Sequence, residues 1–373
     1  MYIYIVIYLL SFIFSFCYAK CKDKYAAVVF KVLTFMVLFI PAALRYEIGH
    51  DYKNYVGFLQ HYDLSNPVFE IGYSPIIWFI QFFSLDLHWF FVITSFISYL
   101  CIFSVVKKEY AFYSIPIYIC TSYLFGLSGV RQALSVSIAL VFVDAYTKKE
   151  YKKAILFYVL GFCFHKSSLF LIFVTALASM KWKRLNPYRN ALIVFVIYFV
   201  FFNFRVGNLL ITKIIPLTPY ANYLDIAMYF MGVERGSGLG ILLKIFMYMA
   251  IVFGFSWDLQ KSEHSELLVS KNCSSGEAHI RLYKVSCVVV FLYTAFTILV
   301  LDARIFNRLP QMLNPLFVLV FQCLGESKSK YKRIIIPITL LGFFYFYYGS
   351  ILANTVTADS GMGINPYQSI LGR

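Results

Sequence analysis

Apolar runs of membrane-spanning length recur along this chain, and nothing else in it constrains the fold so strongly. A helix needs roughly 20 predominantly apolar residues to cross a bilayer, because only internal backbone hydrogen bonds are available there. Candidate stretches fall at 2–19, 25–44, 71–85, 89–106, 112–126, 131–147, 154–164, 167–180, 190–205, 239–257, 285–302, 309–325 and 334–352. Residues are 61% hydrophobic and only 14% charged, which leaves too little charged surface for a soluble domain of this length. The expected fold is all-α: a single polytopic membrane domain over 1–373, with about twelve transmembrane helices plus one short interfacial or re-entrant helix. The first stretch lacks a basic start, so it reads as a retained span and not a cleaved signal.

The net charge of +15 is first a statement about sidedness, because cytoplasmic loops of membrane proteins collect Lys and Arg. Basic clusters stand at Lys20–Lys24, Lys107–Lys108, Lys148–Lys153, Lys181–Arg184 and Lys328–Arg333, with more across 258–284. Strict alternation of spans would strand Lys107 and Lys108 on the wrong side. The stretch 71–85 is short and holds Pro75 and Gln81; if it lies in the interface, every cluster falls inside. That leaves 45–88 and 206–238 as external loops and 258–284 as a polar cytoplasmic loop. It also makes 154–180 a hairpin of two short arms with His165 at its tip. The inner clusters are mostly Lys. The outer positions are mostly Arg: Arg45, Arg131, Arg205, Arg235, Arg304, Arg308 and Arg373. Arginine presents a planar fork that grips phosphate oxygens, whereas lysine is a solvated point charge. The outer face therefore reads as a surface built to hold an anion.

Three stretches on that face carry titratable groups. "RYEIGHDYKNY" supplies Arg45, Asp51, Tyr52 and Tyr55; "GLSGVRQALS" brings Arg131 and Gln132 into a span behind two glycines; "DARIFNR" supplies Arg304 and Arg308. His165, in "FHKSS", and Glu70 and Tyr73, in "FEIGY", are candidates to join them. An ionisable group at membrane depth is a functional candidate by default, although Asp51 in a loop ion pair or His165 bonded to a carbonyl would be ordinary structure. The eight cysteines are scattered without a CxxC or Cys/His pattern, so neither a disulfide framework nor a metal site is expected. There is no phosphate-cradling GxxxxGK[ST] loop, and no cofactor or nucleic-acid partner is expected.

Together, "RYEIGHDYKNY", "EIGYSPIIWFI", "GVRQALSVSIAL" and "FCFHKSSLFLI" resemble, in order and spacing over roughly 40–175, the EpsG family of Wzy-type polysaccharide polymerases. His50 stands where the family usually has Thr or a small residue. The resemblance implies a glycosyltransferase of the bacterial cytoplasmic membrane with its active site facing outside. Such an enzyme moves a growing glycan from undecaprenyl diphosphate onto another lipid-linked repeat unit. Its partners would be that undecaprenyl-diphosphate-linked oligosaccharide, the bilayer and a chain-length regulator. Arg131, Arg304 and Arg308 would hold the diphosphate, with Arg45 a second choice. Asp51, then His165, would serve as base. Tyr52, Tyr55 and Tyr73 would contact sugar, beside Glu70 and Gln132. A flippase of the same lipid-linked oligosaccharide and a glycan ligase remain the alternatives.

Overall fold

The computed structural model describes residues 2–62, 69–180, 187–204, 206, 212–213, 215–217, 239–266, 274–300, 308–327, 329–355 and 362–372. The helices are α1 (Tyr2–Lys20), α2 (Lys24–Ala43), α3 (Tyr52–Gln60), α4 (Ser74–Phe82), α5 (Trp89–Val105), α6 (Ala111–Tyr118), α7 (Leu124–Ser128), α8 (Val130–Thr147), α9 (Tyr151–Phe164) and α10 (Phe170–Ser179). They continue with α11 (Pro187–Phe204), α12 (Leu239–Glu266), α13 (Ser274–Leu299), α14 (Arg308–Leu313), α15 (Phe317–Glu326) and α16 (Lys332–Ala353). No strand occurs among the described residues.

Among the described residues, six helical stretches are long and apolar enough to cross a membrane: α1, α2, Lys108–Ser128, α8, Glu277–Leu299 and α16. Shorter apolar helices occur at Ile71–Phe82, Trp89–Val105, Lys166–Ser179, Leu192–Phe201 and Leu239–Val252. The described residues are thus all-α, and six helices, not the expected twelve, meet the criterion of length and composition that suggests an integral membrane protein. Of the six, α8 is the most buried and α1 the least. That ordering follows the sequence. Helix α8 carries Gln132, Ser135, Ser137 and Asp144, all buried, whereas α1 is mostly apolar and keeps Ser11 and Ser15 on its buried face.

Local chemistry sets where helices start and break. The Asp23 carboxylate accepts from the Ala26 N–H at 2.7 Å, an N-cap that starts α2 after a two-residue link. Pro116 lacks an N–H, and a π-helical turn, Ile119–Tyr123, follows it between α6 and α7. Proline removes an i→i−4 bond and widened turns are a common repair. Opposite it, α14 and α15 are separated by a 3₁₀ turn at Asn314–Leu316. The two irregularities satisfy each other, since Asn314 Nδ2 donates to the Thr121 carbonyl at 2.6 Å.

The basic clusters meet at one end of the bundle. Lys108 Nζ donates to the Cys21 carbonyl at 2.8 Å and Lys332 Nζ to that of Gly325 at 2.9 Å. Glu326 pairs with Lys107 and, at 2.9 Å, with His279. Lys149 pairs with Glu277, and Arg281 Nη1 donates to the Tyr151 hydroxyl at 2.9 Å. At the other end, His88 Nε2 lies 2.6 Å from the Ala43 carbonyl oxygen. The chain between them therefore leaves and returns at the same end, so α4, nine residues long, does not cross. Where one helix was expected at 71–85, a 3₁₀ turn (Ile71–Tyr73) feeds the shorter α4, and α3 precedes both.

The two longer loops expected from the sequence stand differently. The segment 258–284 is helical on both sides, because α12 and α13 run into it, and only 267–273 lies outside the described residues. Polar residues in a helix that extends past the apolar layer look like loop to any reading of hydropathy. Most of 206–238 also lies outside the described residues.

Candidate active site

The site is assembled where the segment between α2 and α5 folds across the start of α8 and the end of α9. Gly72 makes the close approach possible: a Cβ there would sit 2.8 Å from the Cys163 carbonyl oxygen, well inside van der Waals contact. His165 follows α9 in an extended conformation (φ −170°, ψ 139°), which ends the helix and turns its ring away from the helix axis. Ser135 Oγ of α8 bonds the carbonyls of Gly161 at 2.8 Å and His165 at 3.0 Å. One hydroxyl so ties the bend to the helix that carries Arg131.

Glu70 is the centre of what results. Its Oε1 lies 2.5 Å from His165 Nδ1, and its Oε2 accepts from Arg131 Nη1 at 3.1 Å. All three side chains are partly exposed, at 21% for Glu70, 29% for His165 and 30% for Arg131, so the cluster is reachable from outside yet partly dehydrated. Burial pushes the Glu70 carboxyl up, but the His165 hydrogen bond and the Arg131 charge outweigh it and hold the carboxyl below its ordinary range. The Arg131 guanidinium lies 5.6 Å from the Phe69 ring centre and 5.9 Å from that of Tyr55, a cation–π shelf that fixes its plane. From below, the Tyr73 hydroxyl donates to the Arg131 carbonyl at 3.4 Å.

The other candidates sit around this cluster at varying distance. Gln132 is buried and donates from Nε2 to the Arg308 carbonyl at 3.2 Å, which brings the start of α14 beside Arg131 with the Arg308 side chain exposed. Arg304, Arg205, Arg235 and Arg373 lie outside the described residues. Asp51 stands at the N-cap of α3, half-buried, without a side-chain capping bond. Its charge and burial together push the Tyr55 phenol up, burial more strongly. Tyr52 is buried and stacks on Phe91 at 4.6 Å, and Tyr73 is fully buried.

Arg45 is fully buried, at 1% exposure. Its Nη1 donates to the Ala42 carbonyl and to Ser95 Oγ at 3.3 Å, and its guanidinium lies 4.8 Å from the Phe91 ring centre. Burial lowers its proton affinity. Among the described residues its Nε and Nη2 have no hydrogen-bond partner.

One element of the site carries no sequence signal: residues 362–370. This segment returns after α16 and binds the first motif almost entirely through backbone. Gly49 N–H donates to the Gly363 carbonyl at 2.8 Å, His50 N–H to Met362 at 3.2 Å, Tyr46 N–H to Gln368 at 3.0 Å, and Ile370 N–H to Leu44 at 3.0 Å. Tyr4 and Tyr367 add hydroxyl bonds to the carbonyls of Ile364 (2.5 Å) and Pro41 (2.8 Å). Gly49, at φ +95°, in turn lies against Leu127 and Ser128, just before Arg131. Backbone pairing is indifferent to side-chain type, which is why residue identities do not announce it.

Among the described residues no group of three His, Cys, Asp or Glu side chains converges as a metal site would require. Chemically, the site presents a fixed guanidinium and an imidazole on either side of one carboxylate. The family model described as EpsG family matches residues 28–369. No curated protein and no solved structure matches the chain.

Proposed function

The chain belongs to the EpsG family, which is associated with exopolysaccharide biosynthesis, and from that premise we propose that it is a polysaccharide polymerase. On this reading it is a glycosyltransferase of the bacterial cytoplasmic membrane with its active site facing outside. It transfers a growing glycan from undecaprenyl diphosphate to the sugar end of a second lipid-linked repeat unit. The observation that supports this best is the Arg131–Glu70–His165 cluster at the end of the bundle opposite the lysine-rich one.

The chemistry follows from where charge develops. As the glycosidic bond to the diphosphate breaks, negative charge grows on phosphate oxygens at headgroup depth. A guanidinium held by an ion pair and an aromatic shelf meets that charge without reorganising, so it binds the transition state more tightly than the ground state. Arg131 takes this role, joined by Arg308 and Arg304; Arg45, sealed among aromatics, holds the shape of the first motif. The acceptor hydroxyl needs a proton acceptor, for which Asp51 and His165 are the two candidates. Tyr55 supports Arg131, while Gln132 fixes the start of α14. The protein's partners are then the lipid-linked oligosaccharide, the bilayer and a chain-length regulator.

Glycan size on the host's surface tests the proposal. Arg131→Ala, inserted normally, should leave single exported repeat units and abolish long chains. Surface glycan that vanishes altogether on deletion of the gene would refute polymerisation and point to a flippase. Unchanged chain length in Arg131→Ala would reduce Arg131 to an interfacial anchor.

A further inference from the structure

We infer that Glu70 is a positioning residue that makes His165 the proton acceptor of the transfer reaction, in place of Asp51; this rests on the polymerase reading. Three observations carry it. Glu70 Oε1 lies 2.5 Å from His165 Nδ1, so Nδ1 carries the hydrogen and the opposite ring nitrogen, Nε2, keeps its lone pair. The bend at His165 is anchored from behind by Ser135 and Ser168, which bond its carbonyl at 3.0 and 3.1 Å. The ring therefore has a fixed origin as well as a fixed tautomer. The second carboxylate oxygen of Glu70 holds Arg131, so base and anion grip share one rigid hub. Asp51 has no such partner: among the described residues its carboxylate makes no hydrogen bond or ion pair, and nothing fixes its direction.

The step balances. The acceptor hydroxyl gives its proton to His165 Nε2 as its oxygen bonds the anomeric carbon. The bond from that carbon to the diphosphate oxygen breaks, and the diphosphate leaves with the electron pair, against Arg131. Positive charge thus arrives on the imidazole while negative charge arrives on the leaving group. Glu70 stabilises the imidazolium, as a buried carboxylate does for a histidine base generally. It also keeps Arg131 from repelling that imidazolium, because the carboxylate lies between them.

Glu70, from the turn before α4, bonds the His165 ring, Arg131 of α8 holds the other oxygen of that carboxylate, and Lys166 follows on the same turn. Among the described residues, Glu70 supplies the side-chain hydrogen bond to the ring. Replacing that carboxylate therefore removes the contact that fixes the tautomer.

The test uses the full-length protein in proteoliposomes, with lipid-linked repeat units as substrate and chain elongation as readout. His165→Asn retains a donor to Glu70 and has no base. It should cut kcat by about 10²–10⁴-fold, the usual worth of a general base, with KM little changed. His165→Ala should regain elongation on adding imidazole, which a structural role would not allow. Glu70→Gln, which keeps the side-chain shape and loses the charge that stabilises the imidazolium, should lower kcat with KM little changed. An Asp51→Asn variant that loses as much kcat as His165→Asn would return the base to Asp51 and overturn the assignment. Full activity in His165→Asn, or a dead His165→Ala that imidazole leaves unrescued, overturns the assignment. Protein that elongates nothing before any substitution refutes the polymerase reading itself, a separate outcome.

Discussion

Gly49→Ala isolates the contact between the first motif and the helix that carries Arg131. Two costs apply. Gly49 adopts φ +95°, where a Cβ crowds the neighbouring carbonyl at about 1–2 kcal/mol. The new carbon would also lie 2.7 Å from the Leu127 carbonyl oxygen and 2.8 Å from the Ser128 Cα. Both are backbone atoms that no rotamer change can move, and forced overpacking of this kind costs about 1–3 kcal/mol. The sum, about 2–5 kcal/mol, is large against the marginal stability of folded proteins. Gly57 gives the matched control. It lies inside α3, and a Cβ there meets nothing within 4 Å; Ala at such a helical position stabilises by about 0.5–1 kcal/mol. The assay is thermal unfolding of purified protein in detergent beside glycan chain length in cells. Gly49→Ala should unfold several degrees lower and shorten chains, while Gly57→Ala should unfold at the same temperature or slightly higher with normal chains. Equal unfolding temperatures for Gly49→Ala and the unsubstituted protein would show that the motif does not rest on Leu127 and Ser128, and the geometry ascribed to Arg131 would fall with it.

Other expectations follow from the same geometry. Gly72→Ala should separate Glu70 from His165 by pushing the turn off the Cys163 carbonyl, abolishing elongation more than it lowers expression; immunoblot beside glycan gel checks it. The Glu70 carboxyl is held below its ordinary value of 4.5. Its contribution to stability is therefore complete above that value and is lost as pH falls through the lowered one. Unfolding temperatures of unsubstituted protein and Glu70→Gln, recorded from pH 7 to 3, should converge only at the acid end. Removing residues 355–373 deletes the backbone partners of Tyr46, Gly49 and His50 and should destabilise the protein even though no titratable group of the Arg131 cluster is touched; unfolding temperature reads this out. With single cysteines, Lys53→Cys should react with an impermeant maleimide added outside intact cells, and Lys149→Cys only after permeabilisation.

What could be read from residues alone divides along physical lines. The short arms around His165 were legible, because basic residues on both flanks forced a return and each arm was too short for an ordinary span; the structure has α9, a turn at Lys166–Leu169 and α10 there. The burial of α8 was legible in its polar residues. The pairing of Glu70 with His165 was not, since it joins positions 95 apart and depends on Gly72 allowing two backbones to touch. Nor was the burial of Arg45: its charge reads as surface, and its enclosure comes from tyrosines and phenylalanines contributed by distant segments. Residues 362–370 were invisible because main-chain pairing leaves no pattern in side chains.

That last segment has a consequence for biogenesis. Tyr4 grips a carbonyl 360 positions downstream, and the loop beside Asp51 borrows its main-chain partners from the same late stretch. While the ribosome is still working, the early loop must wait without those partners. On the polymerase reading, transfer competence should therefore switch on abruptly once residues 362–370 have emerged, and a nascent chain stalled before them, however well inserted, should be inert.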